Sequence, residues 1–349
     1  MWPRSALPTV RQMVLTPAFP LRGPARKVLG ITVYGCEPDE ADLFADLAPR
    51  YGVIPTLMGE APSVVGAAAG PHNRCISVGH KSRLAGPVLR ALREAGVDYV
   101  SSRSRGVDHI DLHAAAALGI TVESVPYEPD GVADYTVMLM LMAIRDAKAI
   151  VRSALTHDYR LRERRGRELR DMTVGIVGVG QIGGAVIARL QGFGCRLLAT
   201  SPGPSAPATA QRVSLDALLR ESDIVSLHLP LDGATHHVIG RAQLAQMKPG
   251  AVLINTGRGG LVDTLALVEA LETGHLGGAA LDVLEGEDGI FYFDWTDRPI
   301  GNELLLRLQG MPNVVVTPHT AYYTDRVLRA TVEATLRNAL RFERSRRVA

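Results

Sequence analysis

The sequence is poor in cysteine, in aromatic residues and in long apolar runs, and each shortage excludes a class of protein. Its three cysteines, Cys36, Cys75 and Cys195, are widely spaced, which is not the pattern of a disulfide framework or a Cys-x-x-Cys motif. No stretch reaches the roughly 18 apolar residues of a membrane span. We therefore expect a cytoplasmic protein with reduced thiols and no membrane partner.

An excess of charge of one sign is also missing. The formal net charge is +2 at pH 7, and the 34 arginines against four lysines indicate a coding bias rather than a basic surface. Nucleic-acid binding normally needs clustered basic residues. We therefore expect no nucleic-acid partner.

The length of 349 residues is too great for one ordinary hydrophobic core, so two domains are expected. An apolar fraction of 46% with only 5% aromatics suits α/β layers. Residues 1–27 contain five prolines and no signal-peptide run, and we expect them to be a disordered leader.

From residue 28 onward, short apolar runs alternate with helical patterns, as in βαβ units. The strands predicted in the first part are Val28–Val33, Cys75–Val78, Tyr99–Ser102 and Ile120–Glu123, with helices at Asp39–Ala48, Ser82–Ala95 and Ile110–Leu118. One long helix is predicted over Val132–Leu155. The six strands predicted after it are Thr173–Val177, Arg196–Ala199, Ile224–Leu227, Val252–Asn255, Ala279–Val283 and Val314–Thr317, which form one doubly wound sheet. The last helix, Asp325–Arg341, is expected to return to the first domain, which would then be discontinuous.

A glycine turn follows the first strand of this second series. Gly178-x-Gly180-x-x-Gly183 comes directly after the strand and opens an apolar-faced helix. Glycines let backbone amides approach a pyrophosphate, and the helix N-terminus adds partial positive charge. A bare match is often only a tight turn, but the strand before it and the helix after it favour a dinucleotide site.

The residue that would bind the adenosine ribose is not acidic. NAD-specific sites place an acid about 20 residues beyond the turn, whereas here that strand ends in Thr200 and Ser201. Both hydroxyls can bond a 2′-hydroxyl or a 2′-phosphate without repelling the phosphate. We therefore expect NAD(P)H as cofactor, with NADPH tolerated or preferred, although no arginine stands beside Ser201 in the sequence to demand it.

Three further strand ends carry a basic, an acidic and an imidazole group. Arg258, the acids of Asp282–Glu287 and His319 are spaced by about one βαβ unit each, so they should meet on one sheet edge. Arg258 suits a substrate carboxylate and carbonyl, and His319 can give a proton to a developing alkoxide. A nearby acid would fix the ring tautomer and favour its charged form. Alone, each residue is as well explained by a surface ion pair or an ordinary hydrogen bond, but together they favour catalysis.

Two more strand-end residues are assigned to the cofactor side. His228 is expected to border the cofactor rather than react, and Asp282 is expected to reach the nicotinamide side.

Longer runs give the chain a family resemblance over Val28 to Glu343. The runs that carry it are Ile31–Glu37, Ile76–Ser82, Val132–Val137, Leu281–Glu287 and Pro318–Thr324. The chain resembles the D-isomer-specific 2-hydroxyacid dehydrogenases, most closely the VanH-type D-lactate dehydrogenases of glycopeptide resistance. The resemblance implies a flavodoxin-like substrate domain at 28–127 and 323–349, a Rossmann dinucleotide domain at 128–322, and an active site in the cleft.

The resemblance also implies site residues. The family's catalytic arginine, glutamate and histidine fall on Arg258, Glu287 and His319, which selects Glu287 over Glu285. The substrate contacts fall on Arg105, Gly106, Tyr127, Arg258 and Tyr322, although Arg105 departs from the family's usual small or aliphatic residue. The cofactor contacts fall on Gly178, Gly180, Gln181, Ile182, Gly183, Ser201, His228, Pro230, Thr256 and Asp282. No metal site is expected, and the family dimerises through the region of helix 132–155.

The function expected from this resemblance is reduction of pyruvate to D-lactate, a building block of D-Ala–D-Lac cell-wall precursors. The D configuration rests on the resemblance alone. A dehydrogenase of broader or different short 2-keto acid specificity is the alternative within enzymes. A nucleotide-sensing corepressor uses the same fold, but it would need a peptide-binding surface and extra tails.

Overall fold

The computed structural model describes residues 13–14, 29–68, 73–161, 165–201 and 209–346. These residues form two compact units. Unit 1 comprises the described residues up to Tyr127 and those from Thr324 onward, and unit 2 runs from Glu128 to Tyr323. Of the expected leader 1–27, only Met13 and Val14 are described, as a short strand; the rest lies outside the described residues.

The strands and helices alternate along the chain. Up to Tyr127 they are β1 Met13–Val14, β2 Leu29–Val33, α1 Pro38–Tyr51, β3 Val53–Leu57, α2 Val64–Ala68, β4 Cys75–Val78, α3 Gly86–Glu94, β5 Tyr99–Ser102, α4 Leu112–Ala117 and β6 Thr121–Ser124. Unit 2 contains α5 Asp130–Ile144, α6 Ala147–Leu155, β7 Thr173–Val177, α7 Gln181–Leu190, β8 Arg196–Thr200, β9 Gln211–Arg212, α8 Leu215–Glu221, β10 Ile224–Leu227, α9 Arg241–Gln246, β11 Val252–Asn255, α10 Thr264–Glu272, β12 Gly278–Leu281, α11 Glu303–Gly310 and β13 Val314–Val316. The last helix is α12, Asp325–Arg346.

Unit 1 is built on a six-stranded sheet of order β1-β3-β2-β4-β5-β6. Only β1 is antiparallel to its neighbour, and the five parallel strands follow the flavodoxin order. Helix α12 packs against this sheet, where Leu336 joins Ile31 of β2 and Phe44 of α1 in one buried cluster. The unit is therefore discontinuous in sequence, as expected.

Unit 2 is built on a seven-stranded parallel sheet of order β13-β12-β11-β10-β7-β8-β9. Its central strands β10, β11 and β12 are buried on both faces, because helices cover both sides of such sheets. In β11, Val252 and Ile254 lie in one hydrophobic cluster while Leu253 lies in the other. The predicted architecture of two doubly wound sheets is confirmed.

The prediction of one continuous helix over 132–155 is wrong. The chain forms two helices, α5 and α6, because Asp146 between them takes a left-handed conformation with φ of 49°. The carbonyl of Ile144 accepts a hydrogen bond from the Arg167 amide at 3.0 Å. A left-handed residue ends a helix even where the apolar pattern continues.

Three strands were missed in the sequence: β1, which lies in the expected leader, and β3 and β9, neither of which carries an uninterrupted apolar run. Strand β3 is interrupted by Pro55, which has no amide to donate and argues against a strand inside a sheet, and β9 has only two residues, both exposed. The second sheet therefore has seven strands rather than six. Among the described helices, none combines the length and the apolar character needed to cross a membrane.

Candidate active site

Four neighbouring strands of unit 2 end level with one another. The register pairs Leu227 with Asn255, Asn255 with Leu281, and Leu281 with Val316. The polar segments that follow these strands therefore leave from one sheet edge, which is where doubly wound sheets bind ligands.

His319 and Glu287 meet on this edge. The His319 Nδ1 lies 2.6 Å from Glu287 Oε1, and the two side chains are 15% and 18% exposed. The carboxylate accepts, so Nδ1 carries the proton and Nε2 remains as the other functional atom of the ring. The second oxygen, Glu287 Oε2, accepts from the Leu284 amide at 2.6 Å. Of the two acids that spacing could not separate, Glu287 is the one paired with His319; Glu285 pairs with His237.

The backbone of His319 is held in an uncommon conformation. Its φ of 53° lies in the left-handed region, which costs free energy for a residue with a side chain. The His319 amide donates to the Asp282 carbonyl at 2.7 Å, and its carbonyl accepts from the Tyr292 hydroxyl at 2.8 Å. Both neighbours therefore fix the direction in which the imidazole leaves the chain.

The Asp282 side chain anchors the same loop. It is fully buried, and its carboxylate accepts from the Thr317 hydroxyl at 2.7 Å and from the amides of Thr320 and Ala321 at 2.9 Å each. A buried carboxylate needs such donors, because removing its hydration is otherwise very costly. These bonds give the Asp282 carboxylate a structural role in holding the loop. Its expected contact with the nicotinamide stays a prediction.

Arg258 follows β11 on a loop that lies directly against the segment before Glu287. The side-chain amide of Asn255 donates to the Arg258 carbonyl at 2.9 Å, which fixes the start of this loop. At Gly259 an added Cβ would stand 2.1 Å from the carbonyl carbon of Leu284. Only glycine allows this approach, so Gly259 brings the half-buried Arg258 beside the Glu287 segment.

Two tyrosines flank the imidazole. The Tyr322 ring meets the His319 ring edge-on with centroids 6.2 Å apart, and the Tyr292 ring lies at the same centroid distance. Burial raises the pKa of Tyr292 far above its usual range, so its hydroxyl stays a donor. Tyr322 was predicted, whereas no sequence motif marks Tyr292.

The glycine turn has the form of a phosphate cradle. Gly178 has a φ of 95°, and at Gly183 an added Cβ would lie 2.0 Å from the Gly178 carbonyl oxygen, so both positions require glycine. Helix α7 begins at Gln181 after Gly180, and an added Cβ at Gly180 would meet nothing within 4 Å. Open space beside a helix N-terminus fits the pyrophosphate of a dinucleotide.

The other predicted cofactor contacts lie around this turn and along the same sheet edge. Ile182 is in the first turn of α7, and the carbonyl of Pro230 accepts from the Thr235 hydroxyl at 2.7 Å. The Thr256 hydroxyl lies 2.8 Å from the Thr136 hydroxyl. The His228 amide donates to Val177 at 2.8 Å, and its Nε2 lies 2.9 Å from the Ser226 hydroxyl.

The ribose end of the site differs from the sequence expectation in one respect. Ser201 directly follows β8, and an arginine does stand beside it: Arg212 of β9 donates from Nη2 to the Ser201 carbonyl at 3.2 Å. Sheet pairing brings Arg212 next to the end of β8, opposite Ala199. The sequence alone could not show that Arg212 lies beside Ser201, because the two residues are not adjacent in the chain.

Of the predicted substrate contacts in unit 1, Arg105 and Gly106 follow β5, and Tyr127 follows β6. Arg105 donates to the Tyr127 carbonyl at 2.8 Å and its guanidinium lies 5.8 Å from the centre of the Tyr127 ring. The Gly106 carbonyl accepts from the Ser104 hydroxyl at 2.5 Å. Arg105 is thus tied to Tyr127 within the same unit.

Comparison with known proteins identifies the family. Residues 137–321 match the family described as "D-isomer specific 2-hydroxyacid dehydrogenase, NAD binding domain". The chain is 58% identical over 316 residues to the D-specific alpha-keto acid dehydrogenase of Enterococcus faecium, covering 90% of this chain and 98% of that protein. The protein of the same description from Enterococcus faecalis is 56% identical over 320 residues, covering 92% and 98%.

A solved structure matches as well. The D-lactate dehydrogenase of Aquifex aeolicus, complexed with NAD and lactic acid, superposes with a TM-score of 0.81 at 29% identity, over 90% of this chain and 96% of that one. The chain belongs to the D-isomer-specific 2-hydroxyacid dehydrogenases, and it is an oxidoreductase that uses a nicotinamide dinucleotide.

The imidazole of His228 is half-buried, with its Nδ1 shielded from solvent, and this predicts a loss of stability in acid. Burial lowers its pKa from 6.5 to about 4, so between these values the unfolded chain binds the proton and the folded chain does not. His228 therefore favours the folded state fully above about pH 6.5, and that contribution is lost as the pH falls toward 4. The loss should reach about 1–2 kcal/mol at pH 5.

Urea unfolding at pH 7 and pH 5 measures this effect. The variant His228→Gln should lose less free energy of unfolding between the two pH values than the parent chain, because glutamine does not titrate. The control His113→Gln, at an exposed histidine, should behave like the parent. An equal loss in the parent and in His228→Gln would contradict the assignment.

Proposed function

We propose that the chain reduces pyruvate to D-lactate with NADH or NADPH. The observation that carries this proposal is the His319–Glu287 pair, at 2.6 Å, on the same sheet edge as the Arg258 loop. An acid–base pair beside a guanidinium is what reduction of a 2-keto acid requires.

His319 is the proposed proton donor. Its Nδ1 is occupied by Glu287, so Nε2 delivers a proton to the carbonyl oxygen as that oxygen becomes a hydroxyl. Glu287 accepts from Nδ1 and so holds the ring in one orientation. The left-handed backbone and the Asp282 bonds limit where Nε2 can point.

Arg258 is the proposed anchor of the substrate. Its planar guanidinium can bind the carboxylate of a 2-keto acid and polarise the adjacent carbonyl. The Asn255 bond and the contact of Gly259 with Leu284 keep its loop against the Glu287 segment.

When bound, the nicotinamide supplies the hydride. We propose that the following residues contact the cofactor: Gly178, Gly180, Gln181, Ile182, Gly183, Ser201, His228, Pro230, Thr256 and Asp282. The open helix N-terminus and the glycine turn support this assignment for the pyrophosphate.

The substrate is proposed to be a short 2-keto acid. Tyr322 stands edge-on to His319, and an aromatic side chain there leaves room for a small substituent. Arg105, Gly106 and Tyr127 keep the substrate-binding roles that the resemblance implies. The D configuration and a use of the product in D-Ala–D-Lac cell-wall precursors also rest on that resemblance, whereas the proposed cytoplasmic location rests on the widely spaced cysteines.

Removal of the proton donor should abolish most of the activity. We expect His319→Gln to reduce kcat/KM for pyruvate by about 10²–10⁴-fold, because general acid catalysis contributes about that much. Arg258→Gln should raise KM as well as lower kcat. The measurement is the loss of absorbance at 340 nm with NADH or NADPH.

His113→Gln should keep the parent rate, and chiral analysis should find D-lactate. A panel of pyruvate, 2-ketobutyrate and phenylpyruvate ranks the substrates. An unchanged rate in His319→Gln would refute the proton-donor role. A higher kcat/KM for phenylpyruvate than for pyruvate would refute pyruvate as the preferred substrate.

The position of Arg212 supports use of NADPH. Its guanidinium bonds the Ser201 carbonyl and is exposed, so it can reach a 2′-phosphate on the ribose. Arg212→Ala should weaken NADPH binding about tenfold and leave NADH binding nearly unchanged, as measured by fluorescence titration. Arg220→Ala, at an exposed arginine of α8, is the matched control; an equal effect on both cofactors would contradict this role.

We propose a homodimer formed through the region 132–155. Ile150, Val151 and Leu155 of α6 are 51%, 58% and 77% exposed, an apolar surface that a partner copy would cover. Sedimentation should give a dimer for the parent chain and a monomer for Val151→Glu. Leu306→Glu, at an exposed leucine of α11, should remain dimeric; a monomeric parent chain would refute the proposal.

A further inference from the structure

A second cluster of ligating side chains lies in unit 2, beside the Glu287 segment. The Nε2 atoms of His236 and His237 lie 3.5 Å and 2.9 Å from Glu285 Oε1, and all three ligand atoms lie within 4.8 Å of one another. None of the three residues has a role in the proposed reaction.

Both segments that carry the cluster are fixed by the fold. The His237 amide donates to the Gly260 carbonyl at 2.8 Å and holds His237 at a φ of 52°. The His236 amide donates to the Asp232 carbonyl at 2.9 Å. Glu285 is placed by the contact with Gly259, where an added Cβ would lie 2.3 Å from the Glu285 amide nitrogen.

The arrangement of the rings suits a cation better than a pair of ion pairs. The two imidazoles stack with centroids 3.9 Å apart, so two charged rings would repel each other. Both Nε2 atoms also point at the same carboxylate oxygen. A metal ion at the centre would accept a lone pair from each neutral ring and from the carboxylate.

The distances fit zinc. With metal–ligand bonds of about 2.0–2.1 Å, tetrahedral zinc holds its ligand atoms about 3.4 Å apart. The two distances to Glu285 Oε1 bracket this value. The side chains of His236, His237 and Glu285 are 54%, 35% and 37% exposed, so an ion can enter from solvent and water can fill the fourth position.

We propose that His236, His237 and Glu285 bind one Zn²⁺ ion. The site links the segment after β10 to the segment after β12. It lies outside the proposed reaction, which uses no metal.

Isothermal titration of metal-free protein with ZnCl₂ tests the proposal, using protein without a polyhistidine tag. The parent chain should bind one Zn²⁺ per chain, and the ion should raise Tm because it binds only the folded arrangement. His236→Gln, His237→Gln and Glu285→Gln should each weaken binding at least tenfold. His113→Gln and His319→Gln should bind like the parent, which separates this cluster from the catalytic pair.

X-ray absorption of the zinc-loaded parent chain gives a readout that does not depend on folding of the variants. Two imidazoles and oxygen ligands would support the site. Sulfur ligands, fewer than two imidazoles, absence of binding at micromolar zinc, or equal affinity in the three variants would each overturn it.

Discussion

The carboxylate of Asp282 has no solvent contact and accepts three hydrogen bonds from the loop that carries His319. A buried charge is costly unless donors replace its hydration, so loop and acid stabilise one another. The Asp282 backbone adds a fourth restraint, because its carbonyl accepts the His319 amide. The backbone of His319 has a left-handed conformation, and without these bonds it would not hold the imidazole in one direction.

Backbone contacts at the same edge of the sheet set the positions of Glu287 and of the Arg258 loop. The Leu284 amide binds Glu287, and Gly259 packs on the Leu284 carbonyl, so the acid and the arginine are positioned by one short segment. Glu285 lies in the same segment, but its carboxylate contacts His236 and His237. Two acids separated by one residue thus pair with different histidines.

The sequence predicts the architecture and the polar strand ends well, because strand alternation and the glycine turn are local signals. The order of strands follows from few connection rules, and both sheets obey them. The break at Asp146 was not predictable, since the apolar pattern of α5 continues past it. Arg212 was missed for a different reason: only sheet pairing brings it to Ser201. Tyr292 and the anchoring role of Asp282 likewise depend on contacts made in the folded chain.

In the proposed reaction His319 and Glu287 act as one unit, and a double-mutant cycle measures their coupling. The measurement is kcat/KM for pyruvate in the parent chain, in His319→Gln, in Glu287→Gln and in the double variant. If Glu287 acts through the imidazole, removing it should cost little further once His319 is gone. If the loss in the double variant instead equals the product of the two single losses, the two residues act independently and Glu287 does not work through His319.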